Sequence, residues 1–361
     1  MSNTKNPGGV DSPAKAGGGP GFVHLHTHSA YSLLEGAVPL SKLVDLAYAD
    51  GQPALAVTDR NNLFGALEFS EKASGKGIQP IMGAKVAVDF GDGADRKPRS
   101  GLVEFGCLIL LAMDSDGFSN LSRLVSKAHL DSGAEKASGP HVLFADLVEL
   151  NHGLIVLTGG PDGPVDRLAQ DGHLPQARTR VEALHRVFGD RLYVELQRHA
   201  GDQRTRRTEP FLIDTAFEIG LPLVATNEPY FAQRADFEAH DALIAIAEGT
   251  VVNVDDRRKL TPDHYFKSRA EMAVLFADLP EALESTVEIA RRCAFRAKKH
   301  NPILPRFTGE SSDPEAAFMA ETGELKRQAR EGLAARMAVF DPAPGFTRSD
   351  YDQRLEFELS V

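Results

Sequence analysis

Seven short, almost continuously apolar runs recur along the chain, and they limit its fold more than any other feature. They occupy 22–26, 54–58, 78–88, 105–113, 154–160, 192–197 and 222–227. None alternates cleanly with polar residues, as expected of strands covered on both faces. Helix-period stretches separate most of them. Leu40, Leu43, Val44 and Ala47 form one stripe, which Gly51 stops. Leu63, Ala66, Leu67 and Ser70 form a second, and Val181, Leu184, His185 and Phe188 a third. Several steps between runs span about 30 residues, the size of a β-α-β unit. No sequence repeat accompanies that period, which excludes a solenoid. Such a series closes into a barrel or opens into a doubly wound sheet. The turn after the first run, H-T-H-S-A-Y-S, lacks the glycine pattern of a dinucleotide-binding sheet. The barrel is the better reading.

In a barrel of this kind the chemistry gathers at the C-terminal strand ends. Those ends carry His26 and His28, then Thr58, Asp59 and Arg60, then Lys85. Gly159 and Gly160, Gln197 to His199, and Asn227 to Tyr230 complete the set, while Cys107 falls inside its run. His-x-His on a strand places both imidazoles on one side, which suits a shared metal. That pattern alone is a weak signal, since partly buried histidines also cluster by accident.

Composition narrows the rest. The net charge of −11 argues against a domain whose main task is gripping nucleic-acid phosphates. Two basic runs depart from it, at 204–207 and 291–300; the first reads as a solvated helix face, the second equally well as a phosphate contact. No run approaches the roughly 20 apolar residues of a membrane helix, and the start of the chain has no apolar signal segment. Two cysteines, Cys107 and Cys293, give no disulfide framework. A cytoplasmic protein with no membrane partner is expected, with residues 1–21, rich in Gly and Pro, as a disordered arm.

The stretch H-L-H-T-H-S-A-Y-S-L-L-E-G-A resembles the opening motif of the PHP (polymerase and histidinol phosphatase) family. P-A-L-A-V-T-D-R-N-N-L-F-G-A-L-E-F, G-I-Q-P-I-M-G-A-K, G-L-P-L-V-A-T-N-E and the segment from Pro262 to Cys293 are similar to the N-terminal PHP domain of bacterial replicative polymerase alpha subunits. The resemblance implies an α/β fold, a distorted (β/α)7 barrel at 22–275. A mostly helical lead-in to a polymerase palm follows at 276–361, truncated. In active members, side chains at the strand ends hold two or three metals that activate water for phosphoester hydrolysis, in some as a 3′-5′ exonuclease.

Carried over position by position, the family pattern is only partly kept. His26 and His28 match ligands, whereas His24 has no ligand counterpart and reads as a packed residue. Glu35 stands for an Asp, and Glu228 for another. Asp59 is kept beside the site. Arg60 replaces a ligand His, and Lys85 a ligand Glu. Cys107 falls where a His is common, Gly160 where a Cys or His is expected, and Tyr230 replaces a final His. A unit charge about 4 Å from another costs ~4 kcal/mol at an effective dielectric near 20. Arg60 and Lys85 should therefore replace metals, paired with Glu35, Asp59 and Glu228. A residual zinc or manganese at His26, His28, Glu35 and Glu228 is the most that the site should hold.

The palm's trio of aspartates, which would bind Mg²⁺, is not found. Asp350 and Asp352 sit in a polar stretch that reads as a helix start. The chain by itself is therefore expected to have no catalytic residue and no polymerase (nucleotidyltransferase) activity. It reads as a structural piece of a DNA-replication machine that docks a proofreading exonuclease subunit and other replicase subunits, meeting DNA through the parent polymerase. An active PHP phosphoesterase or exonuclease is the alternative. A free-standing histidinol-phosphatase-like enzyme is a third, disfavoured by the polymerase-like stretch after residue 235.

Overall fold

A computed structural model describes residues 21–94, 104–130, 139–254, 256–302, 307–309 and 313–361. The expected arm lies outside the described residues except at Gly21. Two compact units meet in sequence at Lys299 and His300.

In the first unit the strands are β1 (Ala54–Arg60), β2 (Gln79–Asp89), β3 (Cys107–Ala112), β4 (Val142–Leu143), β5 (Leu154–Leu157), β6 (Leu192–Gln197) and β7 (Leu223–Thr226). They form one curled sheet in the order β1-β2-β3-β5-β6-β7, with β4 on the far end of β2. The sheet is mixed: β3 runs antiparallel to both β2 and β5, and the other pairs are parallel. This reversal turns the N-terminal end of β3, at Cys107, towards the end of the sheet where β1 and β5 to β7 finish.

The first apolar run, 22–26, does not join the ladder as a regular strand. Its backbone amides go instead to side chains: Val23 N donates to Thr286 Oγ1 (3.0 Å), His24 N to Gln52 Oε1 (3.2 Å) and Thr27 N to Thr58 Oγ1 (2.9 Å). Its carbonyls at His24 and Thr27 still accept from Ala56 N and Thr58 N of β1. His28 N reaches Pro229 O just after β7 (3.2 Å). The segment therefore bridges the first and last strands and completes the curl.

Helices α1 (Leu40–Ala49), α2 (Ala66–Gly75), α3 (Ser115–Leu130), α4 (Phe144–Glu149), α5 (Pro164–Gln170), α6 (Leu174–Phe188), α7 (Gln203–Ile219), α8 (Phe237–Ala247), α9 (Arg269–Leu275) and α10 (Pro280–Arg292) surround the sheet. Side chains alternate across it. Val86, Leu108, Leu110, Val156, Val194 and Leu196 face the helices. Ala56, Ile81, Ile109, Leu157, Tyr193 and Val224 fill the inside of the curl. The compact unit runs past residue 275, because α10 buries Leu283, Thr286, Ile289 and Ala290 against it. The dense basic run 291–300 leaves the helix at Arg292, which is tied to Asp190 and the Tyr193 hydroxyl.

The second unit contains α11 (Pro314–Val339) and α12 (Arg348–Glu358). Arg330 forks onto Glu356 (2.7 and 2.8 Å) to hold the pair. Asp350 caps α12 through Thr347 N and Oγ1, so its exposed carboxylate is spent on the helix start.

Candidate functional site

The inside-facing positions of the strands are apolar at the base and become polar at the mouth. Thr58 and Arg60 end β1, Lys85 follows Ile81 on β2, and Glu195 and Gln197 follow Tyr193 on β6. The register sets Arg60 beside Lys85, and Cys107 beside Ala87 two residues further along β2. A bend at His26 breaks the alternation of the first segment. His24 therefore does not share a side with His26: it packs between Phe22 and Phe266 and bonds to Lys267 O at 2.8 Å. His26 and His28 turn inward together, with ring centroids 5.5 Å apart.

Glu228 is the hub. It has a left-handed backbone (φ 48°), which is uncommon for a residue with a side chain and is concentrated at functional positions. Its Oε1 lies 2.5 Å from Lys85 Nζ, 2.6 Å from the Tyr230 hydroxyl, 3.1 Å from His28 Nε2 and 3.2 Å from His26 Nε2. Its Oε2 accepts from Gln197 Nε2 at 3.2 Å. His26 Nδ1 donates to Glu195 Oε1 at 2.7 Å. Thr226 Oγ1 donates to the same oxygen, and Gly159 N to the other. All these side chains are buried.

Charge follows from this packing. Burial alone would lower the His26 pKa, but Glu228 and Glu195 hold it up, to about 9. Burial opposes the charges on Lys85 and Glu228, yet their contact and that of His26 with Glu228 keep the lysine well above and the glutamate well below their usual ranges. Two positive groups, Lys85 and His26, thus balance Glu228 and Glu195 at neutral pH. Burial moves His28 the other way, down. Ser32 Oγ donates to Asp59 Oδ1 (2.6 Å), so it can only accept from His28 Nδ1 (2.9 Å). His28 Nε2 faces the acceptor Glu228 Oε1 at 3.1 Å.

The expected ion pairs divide. Lys85 meets Glu228 in the centre and Asp162 at 3.5 Å. Arg60 sits at the rim, a third exposed, and meets Glu35 at 3.0 Å, while Arg258 approaches the same oxygen at 3.5 Å. Glu35 therefore stands with the rim arginines rather than with the histidines. Asp59 pairs with neither cation: Ser29 N, Ser29 Oγ and Ser32 Oγ take its oxygens, because the loop after His28 folds over it. Gly160 has φ 60°, and a Cβ there would lie 2.6 Å from Gln197 Nε2, whose carboxamide fills that side of the mouth. Cys107 is buried within β3.

Glu195, Thr226, Asp162 and Arg258 escaped the sequence reading. Glu195 had a signal: a carboxylate in the middle of the apolar run L-Y-V-E-L-Q, in phase with Gln197. Asp162 and Arg258 lie on connections whose return to the mouth no local pattern reveals.

His26 Nε2, His28 Nε2 and Glu228 Oε1 lie within 4.8 Å of one another and could hold one metal ion. The donor types suit zinc or manganese. The Lys85 ammonium on the shared Glu228 oxygen is the competitor for that position.

Residues 24–199 match the family model of the PHP domain. That matched stretch is just under half of the chain. Over 349 residues, 95% of its length, it is 46% identical to DNA polymerase III subunit alpha of Caulobacter vibrioides. It is 38% identical over 354 residues to the same subunit of Escherichia coli K12. It spans 29% and 28% of those relatives' lengths. Among solved structures, an amidohydrolase from Chromobacterium violaceum aligns with 58% of this chain and 87% of its own, at 15% identity and a TM-score of 0.38, too distant to carry an argument. Among the described residues, no helix is long and apolar enough to cross a membrane.

Proposed function

We propose that this PHP domain is a structural and docking element of a replicative DNA polymerase alpha subunit, with a metal site replaced by charged side chains. The observation that carries the reading is Lys85 Nζ seated on Glu228 Oε1 among the two histidines. With His26 protonated, the mouth is already neutral, so a divalent ion would add uncompensated charge at a cost of ~4 kcal/mol per unit-charge pair at about 4 Å. In this reading the domain braces the palm of the parent polymerase, works in the cytoplasm and presents a surface to a proofreading exonuclease subunit and other replicase subunits. DNA and catalytic Mg²⁺ belong to the palm. The lead-in to that palm follows the first compact unit, which ends at Lys299, and this chain alone does not extend a primer.

The test is metal analysis of the purified chain together with a nuclease assay on single-stranded DNA. The expected result is no stoichiometric zinc or manganese and no cleavage. Bound metal, with cleavage lost in His26→Ala, would sink the reading. It would favour the second one, an active phosphoesterase or 3′-5′ exonuclease, which rests on the convergence of His26, His28 and Glu228.

A further inference from the structure

Beside the end of β6, two residues that each bury an unpartnered oxygen line one small void. Asp166 lies in the first turn of α5 and is 2% exposed; its Oδ2 has no hydrogen-bond partner. Gln197, at the end of β6, is 3% exposed, and its Oε1 is likewise unpartnered. The orientation of that amide is fixed: Nε2 donates to Glu195 Oε1 (3.0 Å) and Glu228 Oε2 (3.2 Å), which leaves Oε1 on the other side. Both residues line a void of about 10 Å³ beside Thr205 and Thr208 of α7, the room that one water-sized sphere needs.

The surroundings are rich in oxygen and poor in donors. Thr208 Oγ1 makes only long bonds, at 3.3 Å each, to Asp166 Oδ1 and to two carbonyls of its own helix. Thr205 Oγ1 gives its hydrogen to Asp202 O at 3.2 Å. Both hydroxyl oxygens keep lone pairs. No arginine or lysine pairs with Asp166 among the described residues. A buried carboxylate without a counter-charge is costly, so it must take up a proton or a cation.

We propose that this void is a binding site for one dehydrated alkali cation, held by Asp166 Oδ2, Gln197 Oε1 and the hydroxyl oxygens of Thr205 and Thr208. One carboxylate among neutral oxygens matches a single positive charge. A divalent ion would be left with an uncompensated positive charge, because Asp166 is the one carboxylate among the four donors. The ion would tie α5 and α7 to the end of β6. It would also fix the Gln197 amide that contacts Glu228, linking the ion to the mouth without joining it.

The test compares thermal unfolding of the purified chain, followed by circular dichroism, in sodium, potassium and N-methylglucamine chlorides at matched ionic strength. One-site mass action requires the unfolding constant to fall by a factor of one plus concentration over Kd, about tenfold at about nine times Kd. Sodium or potassium should therefore raise the midpoint over N-methylglucamine. Asp166→Asn should remove that difference. Thr208→Val, which keeps the volume and drops one oxygen, should move the response to higher salt and supplies the answer if Asp166→Asn fails to fold. In crystals soaked with thallium(I), an anomalous peak is expected between Asp166 and Gln197. Identical melts in the three salts, or a crystal with an ordinary water and no anomalous signal there, would overturn the proposal and leave Asp166 as a protonated acid.

Discussion

Lys85 Nζ and Glu228 Oε1 lie 2.5 Å apart, and the same carboxylate oxygen faces His26 and His28 at 3.2 and 3.1 Å. The ammonium and the histidine ring nitrogens thus converge on one acceptor. Replacing Lys85 by Met keeps the length of the side chain and removes the charge. Breaking one partner of a buried ion pair costs about 3–5 kcal/mol, and Lys85→Met should lose stability of that order in urea unfolding. It also clears the competitor from the three metal-type donors. Zinc should therefore raise the unfolding midpoint of Lys85→Met and leave the unsubstituted chain unchanged. Equal zinc response in both would show that Lys85 does not guard the position.

His199 and His264 stack at 3.8 Å with their rings nearly parallel. Burial, and then the charge of Lys267, lower the His199 pKa to about 4, and burial takes His264 well below its usual value. Unfolded, both titrate near about 6.5. The unfolded chain thus binds more protons in the interval between, and the contribution of these groups is present above about pH 6.5 and lost as pH falls through it towards 4. Denaturant midpoints should decline over that interval. His264→Phe, which preserves a stacking ring and cannot titrate, should flatten the decline. An unchanged slope in the variant would remove the pair as its source.

The backbone of the first segment is held by side chains rather than by a strand ladder. Val23 N donates to the buried Thr286 Oγ1 on α10, 3.0 Å away. Thr286→Val is nearly isosteric and strands that amide, which should cost about 1–3 kcal/mol. Hydrogen exchange should speed up at Val23 more than at β6. Uniform speeding would mean that the loss is global and that the contact has no local role.

These cases show what the sequence disclosed and why the rest stayed hidden. The strands β2, β5 and β6 were legible because an almost continuous apolar run is a local property, and all three are buried along nearly their whole length. The reversal of β3 was not, since an apolar run looks the same in either direction. His26, His28 and Lys85 were legible from motif and chemistry. The division between Lys85 in the centre and Arg60 at the rim was not, because it depends on Glu35 and Arg258 meeting across about 220 residues of chain. The partners of Asp59 were not legible either, since Ser29 and Ser32 reach it only once the loop after His28 has folded back.

Gly160 offers the sharpest test of how tightly the mouth is packed. Its φ of 60° strains any residue with a Cβ, and that Cβ would press on the Gln197 carboxamide at 2.6 Å. Gly160→Cys therefore meets two separate penalties. Left-handed strain costs about 1–3 kcal/mol, and the clash adds to it. Shortening the neighbour in Gln197→Ala should relieve only the clash. The double variant is expected to be more stable than the sum of the two single losses allows, with a coupling of about 0.5–3 kcal/mol, measured as urea midpoints of all four proteins. The strain term should persist in both backgrounds. Simple additivity would mean that Gln197 does not occupy the space a ligand would need, and that the glycine is set by backbone conformation alone.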